Sequence, residues 1–372
     1  ILSVFGTRPE AIKMAPLINC LVKCQSIESI VCNTSQHKDM LEPIIRFFGI
    51  KSQYNLNIMR PNQTLNNITS DILNRLSPIL QKEKPDWVLV QGDTTTTLSA
   101  SLASFYARIK IGHVEAGLRT GDNYAPYPEE MNRKITTALA NLHFTPTNFG
   151  KNNLLKEGVS ESKIFVTGNT VVDALNFTLS KILTPNESNK YEKTLLNLGV
   201  QLTNRIILVT GHRRESIGVN LTNICKALIR IAESYPDVSI IYPVHMNPNV
   251  RRQVLKILEN QKGVYLIDPL DYPTFVWLMT RSSIILTDSG GIQEEAPSLG
   301  IPVLVMRNVT ERQESIDLGV GQLIGTDPNN IFDKTKLLLD RPIRPNSPHK
   351  NSNPYGDGSA SIRIVKALLN TD

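Results

Sequence analysis

Short apolar runs rich in valine and isoleucine recur at helix-length intervals along the whole chain, and this feature most constrains what it can fold into. LSVF (2–5), SIVCNT (29–34), WVLVQG (87–92), KIGHV (110–114), HFTPT (143–147) and KIFVTG (163–168) form a first set. RIILVTG (205–211), VSIIYPV (238–244), VYLID (264–268), SIILTDSG (283–290) and PVLVM (302–306) form a second. The runs are continuous rather than alternating, as in parallel strands covered by helices on both faces. The predicted class is therefore α/β, with two Rossmann-like doubly wound domains in tandem. A length of 372 residues suits two domains of ordinary size. The expected division is 1–168, 169–350 and a terminal segment 351–372. Residues 169–200 read as a helix from about Val171 to Lys181, then a polar linker through TPNESNK. After Asp340 a Pro-, Asn- and Ser-rich stretch precedes the helix-like SASIRIVKALLN, which suggests the chain crossing to another part of the molecule.

Composition bounds the partners. The 41% apolar and 20% charged residues are those of a soluble globular protein. The net charge of +6 is spread along the chain, so a small anionic ligand accounts for it as easily as nucleic acid does. No run approaches a transmembrane span, and ILSVFG is too short before Gly6 and Arg8 for a signal peptide, so the reading is cytoplasmic. Cys20 and Cys24 lie one helical turn apart with no matching pair, which is poor zinc spacing. With Cys32 and Cys225 they read as buried free thiols.

In open α/β sheets ligands bind at the carboxyl ends of the strands, and two such domains facing each other bring those ends to a cleft. The first run ends in FGTRPEAIKMAPL. Gly6 permits a tight turn, and Arg8 and Lys13 stand beside a new helix N-terminus, which is either an anion site or a capped helix with two solvated cations. It is neither G-x-G-x-x-G nor a Walker loop. The third run ends in QGDTTTTLSAS, where Asp93 is an N-cap or a functional carboxylate and the threonines cap or bind something. GHVEAGLRTGDNYAPYPEEMNRK (112–134) gathers Glu115, Arg119, Asp122, Glu129, Glu130 and Arg133 directly after a strand. That stretch is an ordinary solvated connection or the rim of an active site. Asp93, Glu115 and Glu129 fall on loops at one sheet edge, and Glu115 is expected beside Asp93, where like charge raises the proton affinity of at least one of them.

In the second half, VTGHRRES repeats the glycine-then-cation logic with His212, Arg213 and Arg214; His212 suits phosphate contact or proton donation. The most specific stretch is ILTDSGGIQEEAPSLGIPVLV. Ser289, Gly290 and Gly291 open a helix whose N–H groups face an anion, and Glu294 and Glu295 follow in its first turns. A diphosphate cradle with a carboxylate for a ribose diol reads as nucleotide-sugar binding.

These motifs, with GNTVVDAL, YPVHMNPNV, LVMRNVTERQE and NPYGDG, together resemble the bacterial non-hydrolysing UDP-N-acetylglucosamine 2-epimerases over nearly the whole chain. The resemblance implies a fold like the GT-B glycosyltransferases, with the last helix crossing back onto the first domain and the nucleotide held mainly by the second. It implies a homodimer that interconverts UDP-GlcNAc and UDP-ManNAc with no cofactor or metal, without nucleic-acid or membrane partners, and that feeds cell-envelope polysaccharide synthesis. It assigns proton transfer to Asp93, Glu115 and Glu129 and handling of the departing UDP to His212. It places Arg8, Lys13, Arg133, Arg213, Phe275, Ser289, Gly290, Gly291, Glu295 and Arg312 around the substrate. Gln36, His37, Gln63 and His245 match a second, allosteric site that many members carry. Two positions depart: Asn62 stands where some members have Arg, and Ile217 where an aromatic is common.

The C2 proton of such a sugar is not beside a carbonyl, so elimination of UDP to a glycal, then re-addition with protonation from the opposite face, is the expected route. The scheme needs a base, an acid and a closed site that excludes water. The alternatives are a GT-B glycosyltransferase, a hydrolysing epimerase that releases free ManNAc, and an inactive nucleotide-sugar sensor.

Overall fold

The computed structural model describes residues 1–36, 38–211, 218–341 and 353–371. Its first sheet has the order β3-β2-β1-β4-β5-β6-β7, every pair parallel. The strands are β1 Leu2–Phe5, β2 Ile30–Asn33, β3 Tyr54–Asn55, β4 Trp87–Gln91, β5 Lys110–Val114, β6 Leu142–Thr145 and β7 Ile164–Val166. The second sheet, β10-β9-β8-β11-β12-β13, is likewise parallel. Its strands are β8 Arg205–Thr210, β9 Val238–Pro243, β10 Val264–Ile267, β11 Ser282–Thr287, β12 Val303–Val305 and β13 Gly321–Leu323. In each sheet the order reverses beside the first strand, between β1 and β4 and between β8 and β11. Ligand crevices of doubly wound folds open at these points.

The chain clusters into two compact units, Ile1–Ala174 with Tyr355–Asp372, and Leu175–Pro354. The first unit holds α1 Arg8–Lys23, α2 Lys38–Phe48, α3 Leu65–Glu83, α4 Thr95–Tyr106, α5 Glu129–Leu139 and α6 Asn148–Lys156. The division falls within α7, Thr170–Ile182. The second unit holds α8 Pro185–Asn197, α9 Val219–Ser234, α10 Pro248–Leu258, α11 Tyr272–Arg281, α12 Gly290–Glu295, α13 Gln313–Asp317 and α14 Pro328–Leu339, and α15 Ala360–Leu369 returns to the first. Val88, Val90 and Ile111 pack with Ile72, Leu76 and Leu80 of α3 in the first core. Ile207, Val209, Ile284 and Leu286 pack with Leu228 and Ile231 of α9 in the second. Each such buried side chain contributes roughly 1.5–3 kcal/mol.

Local chemistry sets the helix starts. Thr7 and Glu10 form a capping box at α1, with Pro9 in the first turn, where a missing N–H does no harm. The polar stretch read as a linker is instead α8. Thr184 is its N-cap, Pro185 its first residue, Tyr191 and Leu195 are buried, and Trp277 Nε1 donates to Ser188 Oγ at 2.9 Å. The proline that read as a breaker is an initiator here. The terminal helix α15 packs against α1. Ser359 makes no side-chain cap for it. Asp173 of α7 supplies one across the fold, accepting from Ala360 N at 3.2 Å and Ser361 N at 2.8 Å.

Cys32 and Cys225 are buried, and burial pushes both thiols up to about 12. Cys20 and Cys24 are only half-buried, the first in the last turn of α1 and the second at its C-cap. Among the described residues no helix is long and apolar enough to cross a membrane.

Candidate active site

The switch point of the first sheet is built around a carboxylate that the functional reading did not single out. Glu10 is 1% exposed. Its Oε2 accepts from Thr7 N at 2.7 Å and Gly6 N at 3.1 Å, and its Oε1 lies 2.6 Å from Thr94 Oγ1 and 3.2 Å from Thr97 Oγ1. One side chain thus ties the turn after β1 to the turn after β4. Burial raises its pKa, and the threonine and backbone donors work against that rise. The signal was present as T-x-x-E in TRPE, a capping box at a strand end. The threonine run serves the same junction: Thr94, not Asp93, caps α4, and Thr96 Oγ1 donates to Gln36 Oε1 at 2.9 Å. Gly6 is required for space rather than for an unusual turn, since a Cβ there would lie 1.9 Å from Thr34 Oγ1.

Asp93 follows Gly92, whose φ of +73° makes the turn. The carbonyl of Gly92 is 2.7 Å from His113 Nε2, and burial lowers the His113 pKa to about 4, so the neutral ring donates. Arg133, 4% exposed, reaches Asp93 Oδ2 at 2.9 Å and Glu130 Oε2 at 2.6 Å. Asn132 Nδ2 donates to the Asp93 carbonyl at 2.8 Å. Glu130 is fully buried and also accepts from Thr120 N and Gly121 N, so both its oxygens hold the fold. Its neighbour Glu129 is half-buried and opens α5 rather than lying on a loop.

Glu115 adopts a left-handed backbone, φ +64°, directly after β5. Its Oε2 accepts from Lys13 Nζ and, at 3.0 Å, from Asn169 Nδ2. Lys13, read from the sequence as either part of an anion site or a solvated cation, is buried and paired with this carboxylate. Asp93 and Glu115 sit at the ends of adjacent strands, and each holds its own cation. Arg8 is half-buried at the first position of α1.

In the second unit, β8 and β11 end side by side with Thr210 and Thr287 hydroxyls 2.6 Å apart. Tyr242 donates to the Gly211 carbonyl at 3.1 Å, and Asp288 is fully buried next in line. His212 and Arg213 lie outside the described residues, as does His37. Ser289 precedes α12, and its N–H donates to Thr287 Oγ1 at 2.9 Å. Arg312 lies against Gly290, with its Nε 2.8 Å from Glu294 Oε1 and its Nη1 on Glu311. Gly291 faces open space. Glu294 is thus a structural partner of Arg312, while Glu295 Oε1 accepts from Tyr272 at 3.0 Å. Phe275 is half-buried on α11 between fully buried neighbours.

Of the positions matched to a second site, Gln36 bonds Thr96 as above. Gln63 folds back on its own loop, bonding Ile58 O and Arg60 N. His245 is exposed and its Nδ1 accepts from Asn247 N at 3.1 Å. Asn62 has φ +55°, a conformation Asn tolerates better than a long side chain. Among the described residues no group of three His, Cys, Asp or Glu could hold a metal ion.

The sequence model described as UDP-N-acetylglucosamine 2-epimerase matches residues 21–369. A UDP-N-acetylglucosamine 2-epimerase of Yersinia pestis is 53% identical over 372 residues, covering 100% of this chain and 98% of the relative. One from Escherichia coli K12 is 52% identical over 370 residues, with 100% and 98% covered. The crystal structure of UDP-GlcNAc 2-epimerase from Neisseria meningitidis bound to UDP-GlcNAc superposes with a TM-score of 0.93 at 47% identity, covering 100% of this chain and 99% of that one. The Methanocaldococcus jannaschii enzyme in complex with UDP-GlcNAc and UDP gives 0.86 at 34%, with 100% and 99% covered. Two doubly wound parallel sheets, each with its own switch point, and full-length likeness to these proteins lead to one assignment: the chain belongs to the UDP-N-acetylglucosamine 2-epimerase family.

Proposed function

We propose that the chain interconverts UDP-GlcNAc and UDP-ManNAc by inverting C2 of the sugar. The observation that carries the reading is the carboxyl edge of the first sheet, where Asp93, Glu115 and Glu129 stand on elements locked together by Glu10, Arg133 and Lys13. An acceptor-using transferase has no need of so many acids around one sugar carbon.

In the forward direction a carboxylate takes the C2 proton while the C1–O bond breaks with its electron pair on UDP, leaving a neutral 2-acetamidoglucal. UDP then adds back to C1 as an acid delivers a proton to the other face of C2. The Asp93–Arg133 and Glu115–Lys13 pairs fix two carboxylates in direction, and the half-buried Glu129 completes the set. We assign the diphosphate and nucleoside to the second unit, with Arg312 against Gly290 for charge, the carboxylate of Glu295 for the ribose and Phe275 for the base, and give His212 the departing UDP. Arg8 and Arg213 are assigned to the phosphates and sugar, and Gln36, His37, Gln63 and His245 to an activator site. The enzyme acts in the cytoplasm as a homodimer that supplies cell-envelope polysaccharide synthesis; exposed Phe105 and Tyr106 on α4 and Met131 and Ile135 on α5 supply apolar surface for pairing.

Proton NMR of the purified chain with UDP-GlcNAc in heavy water tests this. UDP-ManNAc with deuterium at C2 is expected. Free ManNAc with UDP would replace the reading by the hydrolysing reaction, and an unchanged spectrum would overturn it in favour of a transferase or a sensor.

A further inference from the structure

Asn169 precedes α7 and is 2% exposed, with each of its polar groups engaged. Its Oδ1 accepts from Val171 N at 3.0 Å, its N–H donates to Tyr355 O at 2.7 Å, and its carbonyl accepts from Val172 N at 3.1 Å. Because Oδ1 is occupied by a backbone donor, the amide nitrogen must be the group that faces Glu115 Oε2. The same oxygen accepts from the Lys13 ammonium. Two donors that carry no lone pair converge on Oε2, so that oxygen is held as an acceptor.

The segment that fixes Asn169 is the returning C-terminus. Gly168 and Gly356 pass so closely that a Cβ on either would lie 3.2 Å from the other's strand of chain. Asp173 caps α15 one turn further on, and Arg363 donates to Thr167 O at 3.0 Å.

We propose that Asn169 is a positioning residue that keeps Glu115 ionised and aimed through a single oxygen, and that the latch of Tyr355–Leu369 onto residues 167–173 holds Asn169 to that task. The proposal rests on Glu115 being a proton-transfer group. Of the neighbouring acids, Asp93 pairs with Arg133, Glu10 with threonines and backbone, Asp173 with α15, and Asp357 with Arg363, while Arg8 and Glu129 also stand at this edge. Lys13 and Asn169 are the two donors that meet Glu115 Oε2.

The test uses the full chain with Asn169→Asp, Asn169→Ala and Asp173→Asn. Asn169→Asp keeps the acceptor for Val171 N and hence the start of α7, while turning the face toward Glu115 from donor to carboxylate. A carboxyl carbon NMR titration follows Glu115, its signal assigned by its loss in Glu115→Gln. The midpoint is expected to rise by about one unit in Asn169→Ala and further in Asn169→Asp. The acid limb of the kcat profile should move up with it, while KM for UDP-GlcNAc stays within about twofold. Asp173→Asn should speed amide exchange in α15 and move the midpoint the same way. An unmoved midpoint in both Asn169 variants, even with a lowered melting temperature, would overturn the positioning role. Faster exchange in α15 with an unmoved midpoint would overturn the latch. Persistent deuterium exchange at C2 in Glu115→Gln would instead remove Glu115 from proton transfer, and the titration would still read the positioning by itself.

Discussion

A Cβ on residue 290 would lie 2.4 Å from Cζ of Arg312. The guanidinium occupies the space that the missing side chain leaves, and from there it reaches Glu294 and Glu311. Gly290→Ala is expected to destabilise the protein by about 1–3 kcal/mol through overpacking. If Arg312 is pushed off the turn, KM for UDP-GlcNAc should also rise about tenfold, equivalent to ~1.4 kcal/mol of binding. Thermal unfolding and steady-state kinetics on one preparation read both.

The adjacent acids Glu129 and Glu130 should separate cleanly. Glu130→Gln removes the charge facing a buried Arg133 and is expected to cost about 2–3 kcal/mol of stability, less than full loss of a buried pair because the amide oxygen still accepts. Glu129→Gln should leave the melting temperature close to wild type and lower kcat by about 10²–10⁴. Differential scanning calorimetry and C2 deuterium exchange distinguish the two; reversed behaviour would exchange their roles.

Glu10 makes stability depend on pH. Its folded pKa lies above the unfolded value of 4.5, so the folded state binds the proton more tightly. That contribution is fully present below the unfolded value and is lost as pH rises through the folded one. A glutamine can accept from Gly6 N and Thr7 N and donate to the threonine hydroxyls. Glu10→Gln should therefore gain stability relative to wild type as pH increases from about 4.5, where an unperturbed glutamate titrates. Glu10→Ala should lose about 2–3 kcal/mol at pH 4, since two buried N–H groups lose their acceptor, and less as pH rises. Melting temperatures across pH 4–8 check this.

His113 and His143 stand opposite each other on β5 and β6, with burial lowering their pKa values to about 4 and about 3. The unfolded chain takes up protons on both from about pH 6.5 downward, so stability present above that pH drains as it falls toward about 4. His143→Leu, of similar volume, should flatten the acid side of a profile of unfolding free energy against pH by a few kcal/mol. An identical slope in the variant would point the acid sensitivity elsewhere.

The strand plan was legible because continuous Val and Ile runs leave few other structures that bury both faces of a strand. What escaped has specific causes. β3 is two residues long and β13 reads Gly-Gln-Leu, so neither edge strand carries an apolar run. α8 was concealed by its own initiating proline. Within the site, residue types and sheet edge were readable, whereas pairings were not. Lys13 and Glu115 are 102 residues apart, Glu10 and Thr94 are 84 apart, and local pattern carries no trace of such partners. Asn169 stands out in the sequence only as part of GNTVVDAL, because a buried amide owes its role to what the fold brings against it. Asp93, beside four threonines, fitted the N-cap role that Thr94 actually fills.

The return of α15 to the first unit has a consequence for biosynthesis. Residues 175–354 form a continuous stretch inserted between the two parts of the first unit. On the ribosome the inserted unit has its whole sequence available before α15 has been synthesised, so it can complete its core first. The first sheet must wait, with Asp173 and Asn169 unlatched, until the last helix emerges. A translational pause just ahead of Tyr355 would therefore leave a finished second unit joined to an unfinished first one.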